Sequence, residues 1–393
     1  MLTLSRKPNL TSGLTRLAAA AAITFALSAS FLAANAQATA LTPGSPGSYD
    51  SVFNANSTLA GLNGAVRAVA IQSDGKIIAA GGYLARFNTN GTLDASFGTG
   101  GVVPGEGGYG VIVQSDGQIV VGSGGGVKRF STNGTPDASF NANTAAVGLD
   151  DWAGPIVQQP GGKLVVGGNF TGKLKRFNTD GTLDATFGTA GTAAGLDREV
   201  YAMTVQGNGD ILVTGEFTNR LKRFSANGIA DTSFNSNVAT STLPAAVNVY
   251  SVAVQADQKI LVGYWGEHAL QRFNTDGTPD SAFNTNAAAL GIPNGNCVCA
   301  IAVQGDTKII IGGQQPGKLQ RLGADGTIDA SFGDAGTAET VTDQVWALKI
   351  GPNGKLVAGT GGSLMRFFLT STSVVSPPDA PTGLLSFGVW GVR

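Results

Sequence analysis

The stretch RFNTDGTLDATFG, residues 176–188, decides the fold because the chain repeats it. Near-copies are RFNTNGTLDASFG from Arg86, RFSTNGTPDASFN from Arg129 and RFNTDGTPDSAFN from Arg272. The arginine recurs seven times at spacings of 43–49 residues, at Arg86, Arg129, Arg176, Arg223, Arg272, Arg321 and Arg366. The closing phenylalanine also recurs seven times, at Phe53, Phe97, Phe140, Phe187, Phe234, Phe283 and Phe332. One structural unit is therefore used seven times.

A second motif lies between these copies, for example IQSDGKIIAAGG at 71–82 and VQSDGQIVVGSG at 113–124. The first unit divides into four short strands, VRAVAIQ, KIIAAGG, YLARFNT and TLDASF. SDG and NTNG between them are typical hairpin turns, in which glycine adopts a positive φ without steric cost. Units of about 40–50 residues with four strands are propeller blades. We predict an all-β fold, a seven-bladed β-propeller with four antiparallel strands per blade, over residues 48–370.

The phenylalanine series begins and ends one unit earlier in the chain than the arginine series, and this offset predicts how the ring closes. The segment SYDSVF at 48–53 has the closing phenylalanine but no preceding arginine. After Arg366 the chain supplies a third strand, SLMRFFLT, but no fourth. An N-terminal strand that pairs in the last blade would remove two exposed sheet edges, which otherwise invite aggregation.

Composition excludes several classes of protein. Glycine accounts for 58 of 393 residues and charged residues for 13%, against about 25% in ordinary domains. The net charge is −1 without a basic run, so nucleic-acid binding is not expected. A single histidine excludes a multi-histidine metal site, and the NTDG turns fit a calcium loop poorly. We expect no metal and no cofactor.

The two termini differ from the repeats. Arg6, Lys7 and Arg16 precede an apolar run at 17–34, and small residues follow at Ala36 and Ala38. This pattern predicts a signal peptide over residues 1–36, cleaved after Ala36 or Ala38, with a retained membrane anchor as the alternative. The mature chain then has no membrane span and is secreted, periplasmic or on the cell surface. The Pro-rich, then apolar, tail at 371–393 is either a linker or a weak sorting signal.

An aspartate follows each repeated arginine at a fixed distance of eight residues, and Asp50 supplies the missing one. Both residues flank the same hairpin turn, so they should face each other across adjacent strands. A group that occurs in every unit is better explained as scaffold than as a catalytic or metal site. We predict seven structural ion pairs: Arg86–Asp94, Arg129–Asp137, Arg176–Asp184, Arg223–Asp231, Arg272–Asp280, Arg321–Asp329 and Arg366–Asp50.

The variable loops, which connect strands two to three and one blade to the next, lie together on one face. Tyrosine and tryptophan concentrate there, next to the small residue of each first strand or after the second strand. These residues bury area while keeping a polar group, as binding surfaces require. We predict binding residues at Tyr83, Tyr109, Trp152, Tyr201, Tyr250, Tyr264, Trp265 and Trp346. Packing between blades is the alternative explanation for each one.

Two further candidate sites follow from titratable and sulfur-containing residues. Glu216, Glu267 and His268 are candidate catalytic residues of a secreted carbohydrate-active hydrolase or lyase, since paired carboxylates can cleave glycosides. Cys297 and Cys299 lie on the same side of a strand, where an extended backbone separates Cα atoms too far for an easy bridge. Free thiols or an intermolecular disulfide are therefore expected.

The order of motifs, D-x-S-F-G, then V-Q-x-D-G-K-I-x-x-G-G, then L-x-R-F-N-x-D-G-x-L-D, resembles the delta-60 repeat, a bacterial β-propeller family. The resemblance covers about residues 48–370 and implies an exported propeller without established catalytic residues. We therefore expect a monomeric binding module whose partner is an extracellular glycan or protein. A carbohydrate-active enzyme and a purely structural surface module are the alternatives.

Overall fold

The computed structural model describes residues 41–369 except 42, 61–63, 242, 245–246, 306, 316 and 339–340. The predicted signal peptide at 1–36 and the tail at 371–393 lie outside the described residues. Within the described part, the chain forms seven antiparallel sheets. Four short helices are also present: α1 (Ser51–Leu59), α2 (Ala138–Val147), α3 (Thr232–Ala239) and α4 (Ser281–Ala288).

The strands follow the repeat in chain order. The first sheet contains β1 (Val66–Ile71), β2 (Ile77–Gly81), β3 (Leu84–Phe87) and β4 (Val102–Val103). The second to fourth sheets contain β5 (Gly110–Val113), β6 (Ile119–Ser123), β7 (Gly126–Phe130), β8 (Ala153–Gln158), β9 (Leu164–Gly168), β10 (Leu174–Phe177), β11 (Val200–Val205), β12 (Ile211–Gly215) and β13 (Leu221–Phe224). The fifth to seventh contain β14 (Val249–Val254), β15 (Ile260–Tyr264), β16 (Leu270–Phe273), β17 (Val298–Val303), β18 (Ile309–Gly313), β19 (Leu319–Leu322), β20 (Val345–Ile350), β21 (Leu356–Thr360) and β22 (Leu364–Phe367).

The hairpins follow from the turn residues of the repeat. Between β1 and β2, Gly75 has a φ of +82° and the Asp74 carboxylate accepts the Lys76 N–H at 3.0 Å. Such a turn provides the positive φ and the local hydrogen bond that connect two antiparallel strands tightly. The β-hairpins between first and second strands therefore vary little from sheet to sheet. The sequence varies more in the connections at the other ends of these strands.

The core lies between the sheets, because their central strands are buried on both faces. β2 and β21 are examples, with runs of buried Ile, Leu, Val and Ala. The first and seventh sheets share one apolar cluster, in which Val66 and Val69 meet Ala347, Val357 and Leu364. Each large apolar side chain buried in this way contributes about 1.5–3 kcal/mol relative to exposure. The stability of the fold therefore depends on contacts between neighbouring sheets.

The prediction of four strands per sheet is wrong for six of the seven sheets described. Only the first sheet has a fourth strand, β4, and the others have three. The cause is the repeated aspartate, whose side chain accepts backbone N–H groups of the residues that follow it. Asp137, for example, accepts the N–H of Phe140 at 3.1 Å and starts α2. An aspartate N-cap satisfies helical N–H groups, so the segment after it turns away from an extended path.

Four sheets replace the fourth strand by a helix with the motif F-N-x-N, at 53–56, 140–143, 234–237 and 283–286. The first asparagine accepts the backbone N–H of the repeated arginine at 2.7–2.8 Å. It donates back to that arginine's carbonyl at 3.2–3.4 Å. One amide side chain thus makes the two hydrogen bonds that a neighbouring strand would make, and the sheet edge is satisfied.

In the other three sheets, glycine replaces the first asparagine. Gly98, Gly188 and Gly333 have φ values of +53°, +54° and +59°, so the chain reverses directly after phenylalanine. The arginine N–H then bonds a glycine carbonyl of the returning chain, for example Arg321 to Gly336 at 2.9 Å. Only in the first sheet does this return extend into a strand. The residue after phenylalanine therefore selects the type of edge.

The N-terminal segment lies against the last sheet. Asp50 N–H donates to the Arg366 carbonyl at 2.8 Å, and Phe368 N–H donates to the Ser48 carbonyl at 3.0 Å. The expected strand at 48–53 is reduced to a single bridge between Tyr49 and Phe367, because α1 begins at Ser51. This sheet therefore has the helical type of edge, although its helix precedes the sheet in the sequence by about 300 residues.

Candidate functional site

Each repeated arginine forms a salt bridge with its aspartate. The distances from guanidinium nitrogen to carboxylate oxygen are 2.6–2.8 Å in all seven pairs: Arg86–Asp94, Arg129–Asp137, Arg176–Asp184, Arg223–Asp231, Arg272–Asp280, Arg321–Asp329 and Arg366–Asp50. In five of the sheets a lysine of the first hairpin reaches the same oxygen within 2.6–2.8 Å: Lys76, Lys163, Lys259, Lys308 and Lys355. These carboxylates are engaged within their own sheets and hold the hairpins together.

The ion pairs shift the ionisation of the aspartates. Burial raises the pKa of Asp184, but hydrogen bonds from Lys163, Thr186 and Arg176 outweigh it and hold that pKa well below its usual range. The same balance lowers the pKa of the other six: Asp50, Asp94, Asp137, Asp231, Asp280 and Asp329. All seven side chains are therefore carboxylates at neutral pH, as scaffold ion pairs require.

The arginines also join neighbouring sheets, which the sequence did not indicate. Arg129 donates through Nη1 to the Thr179 carbonyl at 2.8 Å, and Arg176 donates to the Ala226 carbonyl at 2.7 Å. Arg223 and Arg272 make the same bond to Thr275 and Ala324, while Arg86 and Arg366 bond Thr132 and Thr89. Each guanidinium lies 4.1–4.8 Å from the centroid of its own motif's phenylalanine ring. Because the acceptors are backbone carbonyls, no side-chain pattern reveals them.

We call the face with the β-hairpins the lower face and the face with the variable connections the upper face. The first strands of consecutive sheets lie side by side, and β1 also lies beside β20. Just before the small residue of each first strand come Arg67, Tyr109, Ala153, Tyr201, Tyr250, Cys299 and Trp346. In five sheets the strand register shifts at this residue. Such a β-bulge redirects one side chain out of the pleat.

Three aromatic residues from these positions, together with Trp152 beside Ala153, form a row, which we call the aromatic row: Tyr109, Trp152, Tyr201 and Tyr250. Their successive ring centroids are 5.8, 6.2 and 5.4 Å apart. Arg67 covers the outer ring face of Tyr109 at 4.9 Å. Trp152 directly precedes β8, and the register of that strand is shifted over 153–156. Each ring contact adds about 0.5–1.5 kcal/mol beyond burial, so the row is rigid.

Exposure separates the eight predicted binding residues into two groups. Tyr83, Tyr201, Tyr250 and Tyr264 are at most 9% exposed, and they pack between sheets as the alternative explanation required. Tyr109, Trp152 and Trp346 are half-buried, and Trp265 is 40% exposed. These last four present aromatic surface to solvent on the upper face. Chain position identified the face, but it could not indicate which rings are covered by other rings.

The candidate catalytic residues fall into two separate groups. Arg198 binds one oxygen of Glu216 at 2.7 Å, and the Tyr201 hydroxyl donates to the other at 3.3 Å. Burial raises the pKa of Glu199, and a hydrogen bond with Glu216 raises it further. Glu267 instead lies 3.7 Å from His268, and both side chains are about half exposed or more. The sequence had not paired Glu216 with Glu199.

The contacts of the first group disfavour glycoside cleavage. Both oxygens of Glu216 are already engaged, one by Arg198 and the other by the Tyr201 hydroxyl. The interaction of Glu199 with Glu216 is better suited to hold a proton between the two side chains. Among the residues that the structure describes, no three His, Cys, Asp or Glu side chains are arranged to hold a metal ion.

Two upper-face loops are held by aspartates. Asp150 accepts the N–H and the hydroxyl of Thr171 at 2.7 and 2.5 Å, and Asp197 accepts those of Thr218 at 2.9 and 2.6 Å. The residues before these threonines, Phe170 and Phe217, are fully buried. These aspartates therefore fix the shape of the loops, so the surface around the aromatic row is preformed.

The expectation of free or intermolecular thiols is wrong, because Cys297 and Cys299 form a disulfide. Their Cα atoms are 5.4 Å apart, well within the bridging range. The reason is the register shift at Cys299, which shortens the extended strand assumed from the sequence. The Gln344 side chain donates to both sulfurs at 3.4 and 3.2 Å. The disulfide thus occupies the position that an aromatic residue has in neighbouring sheets.

Seven antiparallel sheets, with their first strands side by side and an aromatic row among them, define a β-propeller-like protein. The family model described as Domain of unknown function (DUF5122) beta-propeller matches residues 72–97, 114–140, 159–187, 206–234 and 304–332. These five matched segments confirm the predicted resemblance to a repeat propeller family. No curated protein sequence matches the chain.

Solved structures support the fold. The extracellular domain of the putative hybrid two component system BT4673 from B. thetaiotaomicron is similar at 14% identity and a TM-score of 0.52, over 79% of this chain but only 38% of that one. The WD40 propeller domain of Doa1 has 14% identity and a TM-score of 0.54, over 79% and 95% of the two chains. A streptogramin B lyase has 12% identity and a TM-score of 0.52, over 82% and 96%. At these identities the likeness concerns the fold alone.

No helix in the described part of the chain has both the length and the apolar character needed to cross a membrane.

Proposed function

We propose that this chain is an exported, monomeric binding module whose upper face binds an extracellular glycan, with a protein as the alternative partner. The observation that carries this proposal is the aromatic row, with the half-buried Trp346 and the exposed Trp265 on the same face. Rigid aromatic side chains with a polar group at the edge bind ligands at little entropic cost. Because the repeated charged side chains are engaged in ion pairs, we expect the residues of the upper face to determine which ligand binds.

Export is part of the same proposal. The positive, then apolar, then small-residue pattern over residues 1–38 is typical of a cleaved signal peptide. The low content of charged residues and the high glycine content suit an exported scaffold of repeated strands and tight turns. One similar structure is itself an extracellular domain. Peptide mass mapping of the protein from culture medium and periplasm would locate it and identify cleavage after Ala36 or Ala38.

We also infer that the seven sheets form a closed ring, with the N-terminal segment completing the last one. Three contacts support this inference: the bridge between Tyr49 and Phe367, the Arg366–Asp50 ion pair and the hydrogen bond from Arg366 to the Thr89 carbonyl. The first two join the N-terminal segment to the last sheet, and the third joins the last sheet to the first. Closure would leave no blade face without a neighbour.

The binding proposal is tested with a glycan array on the protein lacking residues 1–38. We expect Trp152→Ala, Trp265→Ala or Trp346→Ala to weaken binding at least tenfold, since each removes solvent-facing aromatic area. Ile229→Ala is the matched control, because Ile229 is 61% exposed but lies on a lower-face hairpin. Array binding that all three tryptophan variants retain would overturn the placement of the site on the upper face.

A secreted carbohydrate-active hydrolase or lyase is the second candidate. The observation in its favour is the raised pKa of Glu199 beside Glu216, since a protonated carboxyl can act as a general acid. The engagement of both Glu216 oxygens by Arg198 and Tyr201 argues against it. An enzyme would cleave any glycan that binds on the array, and Glu199→Gln or Glu216→Gln would abolish cleavage while retaining binding. Binding without cleavage supports the module.

A further inference from the structure

The connections between second and third strands are shorter on one side of the upper face than on the other. The connections between second and third strands have two residues in the first and second sheets, at 82–83 and 124–125, and three in the seventh, at 361–363. In the third to sixth sheets they have five residues, at 169–173, 216–220, 265–269 and 314–318. We call the three short connections the low rim and the four long ones the tall rim. The short connections belong to sheets that are neighbours, because the first sheet packs on the seventh.

The low rim consists almost entirely of glycine. Its residues are Gly82, Tyr83, Gly124, Gly125, Gly361, Gly362 and Ser363. Gly124 is exposed, and a Cβ added there would meet no atom within 4 Å. The Tyr83 side chain, the one large group of this rim, is only 8% exposed. The described residues of the low rim therefore present mainly backbone atoms on the upper face.

Charges of both signs lie near both rims. The residues of the low rim carry no charge themselves, but the exposed Asp343 lies against Gly361 and Gly362, and Arg67 covers Tyr109. The connections of the tall rim carry Lys173, Glu216, Arg220, Glu267, His268 and Lys318. The acidic pair Glu199–Glu216 lies beside Tyr201 in the aromatic row. An anionic chain would meet these carboxyls, and a cationic chain would meet Arg67 at the Tyr109 end of the row. A neutral ligand suits both surfaces.

The aromatic row starts where the two rims meet. Tyr109 belongs to the second sheet, which has the low rim, and Trp152 precedes the third sheet, which has the tall rim. Both side chains are half-buried, whereas Tyr201 and Tyr250 further along the row are almost fully covered. The accessible part of the row therefore lies next to the open side of the face.

We propose that the ligand is a neutral, linear oligosaccharide chain, which extends from the accessible end of the aromatic row outward across the low rim. One sugar packs on Trp152 and Tyr109, and the following sugars run over the glycine backbone near Gly124. The tall rim limits the chain on the opposite side. This inference rests on the proposed function and adds the ligand's charge, its shape and its path.

The experiment uses calorimetric titration with neutral gluco-, manno- and xylo-oligosaccharides, each from disaccharide to octasaccharide. We expect affinity to rise at least roughly tenfold along one series, because longer chains reach the low rim. Gly124→Trp should reduce the affinity of the longest member roughly tenfold while leaving the shortest binding member unchanged. The substitution adds bulk where the structure has open space, so the fold should be retained, which circular dichroism checks.

Gly207→Trp is the matched control, because Gly207 is also exposed, has no atom within 4 Å of an added Cβ and lies on the lower face. It should leave every affinity unchanged. Loss of binding in Trp152→Ala with no effect of Gly124→Trp, or no dependence on chain length, overturns the path but keeps the proposed function. Binding only to charged glycans or to a protein overturns the inference that the ligand is a neutral oligosaccharide. Binding that is indifferent to Trp152→Ala alone overturns the path, and binding that all three tryptophan variants retain overturns the site of the proposed function.

Discussion

A single amide side chain completes the sheet edge in four of the seven sheets. Asn141 shows the arrangement: it accepts the Arg129 N–H at 2.7 Å and donates to the Arg129 carbonyl at 3.2 Å. Two residues on, Asn143 donates to the Asp180 carbonyl of the next sheet at 2.9 Å. The first bond pair is half-buried and the second bond is exposed, so the two asparagines should differ in their contribution to stability.

Asn141→Ala should lower the free energy of unfolding by about 1–3 kcal/mol, because it leaves a partly buried backbone N–H and carbonyl without partners. Asn143→Ala should cost about 0.5–1 kcal/mol, since water replaces an exposed bond. Both variants place alanine in the same helix, so helix propensity cancels in the comparison. Urea unfolding measures both values, and equal losses would contradict the role assigned to Asn141.

The pH dependence of stability follows from the seven aspartates. Their pKa values in the folded protein lie below the ordinary value of 3.8, so the unfolded chain takes up protons at a higher pH than the folded one. Their stabilisation is complete above about pH 4–5 and is lost as the pH falls through the folded-state values. The midpoint of urea unfolding should therefore decrease steadily below about pH 4.

Asp184→Asn tests this linkage at one site. Asp184 is nearly buried and binds both Arg176 and Lys163, so the variant should lose about 3 kcal/mol at pH 7. The difference from the original protein should shrink as the pH falls, because protonation removes the same charge. Asp116→Asn, at an exposed hairpin carboxylate, is the control and should differ by less than about 0.5 kcal/mol at every pH. A constant difference for Asp184→Asn would exclude the ionic explanation.

At the scale of elements, the two types of sheet edge depend on the residue after phenylalanine. Gly188 must reverse the chain, and a Cβ there would overlap the Thr192 carbonyl oxygen. Gly148, which ends α2, has a similar φ of +64°, but an added Cβ would meet no atom within 4 Å. The two glycines therefore share backbone strain and differ only in steric contact.

Gly148→Ala should cost about 1 kcal/mol, the usual penalty for a side chain in a left-handed conformation. Gly188→Ala should cost clearly more, about 2–4 kcal/mol, because backbone atoms must also move apart. Thermal unfolding of both variants measures the difference. Comparable shifts in midpoint would mean that the turn at Gly188 adapts freely and does not determine the edge.

The sequence was sufficient for the first three strands of each unit, since Asx-Gly turns and apolar runs reveal them directly. It was insufficient for the fourth, because DASF alternates like a strand while its aspartate acts as an N-cap. The difference between F-N-x-N and F-G was visible in the sequence. Its meaning was not, because it depends on an amide that bonds the backbone of an arginine 12 residues earlier in the chain, or 312 residues later for Asn54.

The places of the aromatic residues in the strands and connections were predictable, whereas their role in binding stays a prediction. The aromatic residues before each small residue pointed to the upper face, where the structure places them. Which rings remain accessible depends on stacking between sheets, as at Tyr201 and Tyr250, and the sequence carries no signal for that. The Glu199–Glu216 hydrogen bond likewise joins a loop before β11 to one after β12.

At the scale of the whole molecule, the N-terminal segment replaces the missing edge of the last sheet. A chain that begins at residue 60 lacks Asp50, Asn54 and α1, and so exposes the backbone of β22. Its thermal midpoint should fall by several degrees and it should self-associate, because an unpaired edge recruits other chains. A chain that begins at residue 41 keeps all these contacts and is the control. Calorimetry and size-exclusion chromatography compare the two, and identical behaviour would argue against the inferred closure.

The hydrogen bond from six of the seven repeated arginines to a carbonyl of the next sheet has a consequence for how such chains diversify. The acceptor belongs to threonine at Thr179 and Thr275 and to alanine at Ala226 and Ala324, so the bond is indifferent to the neighbour's side chain. It is made both by sheets with a helix and by sheets with a glycine reversal. Any copy of the unit can thus follow any other, and gene duplication or unequal recombination can add, remove or reorder copies without a new interface having to arise first.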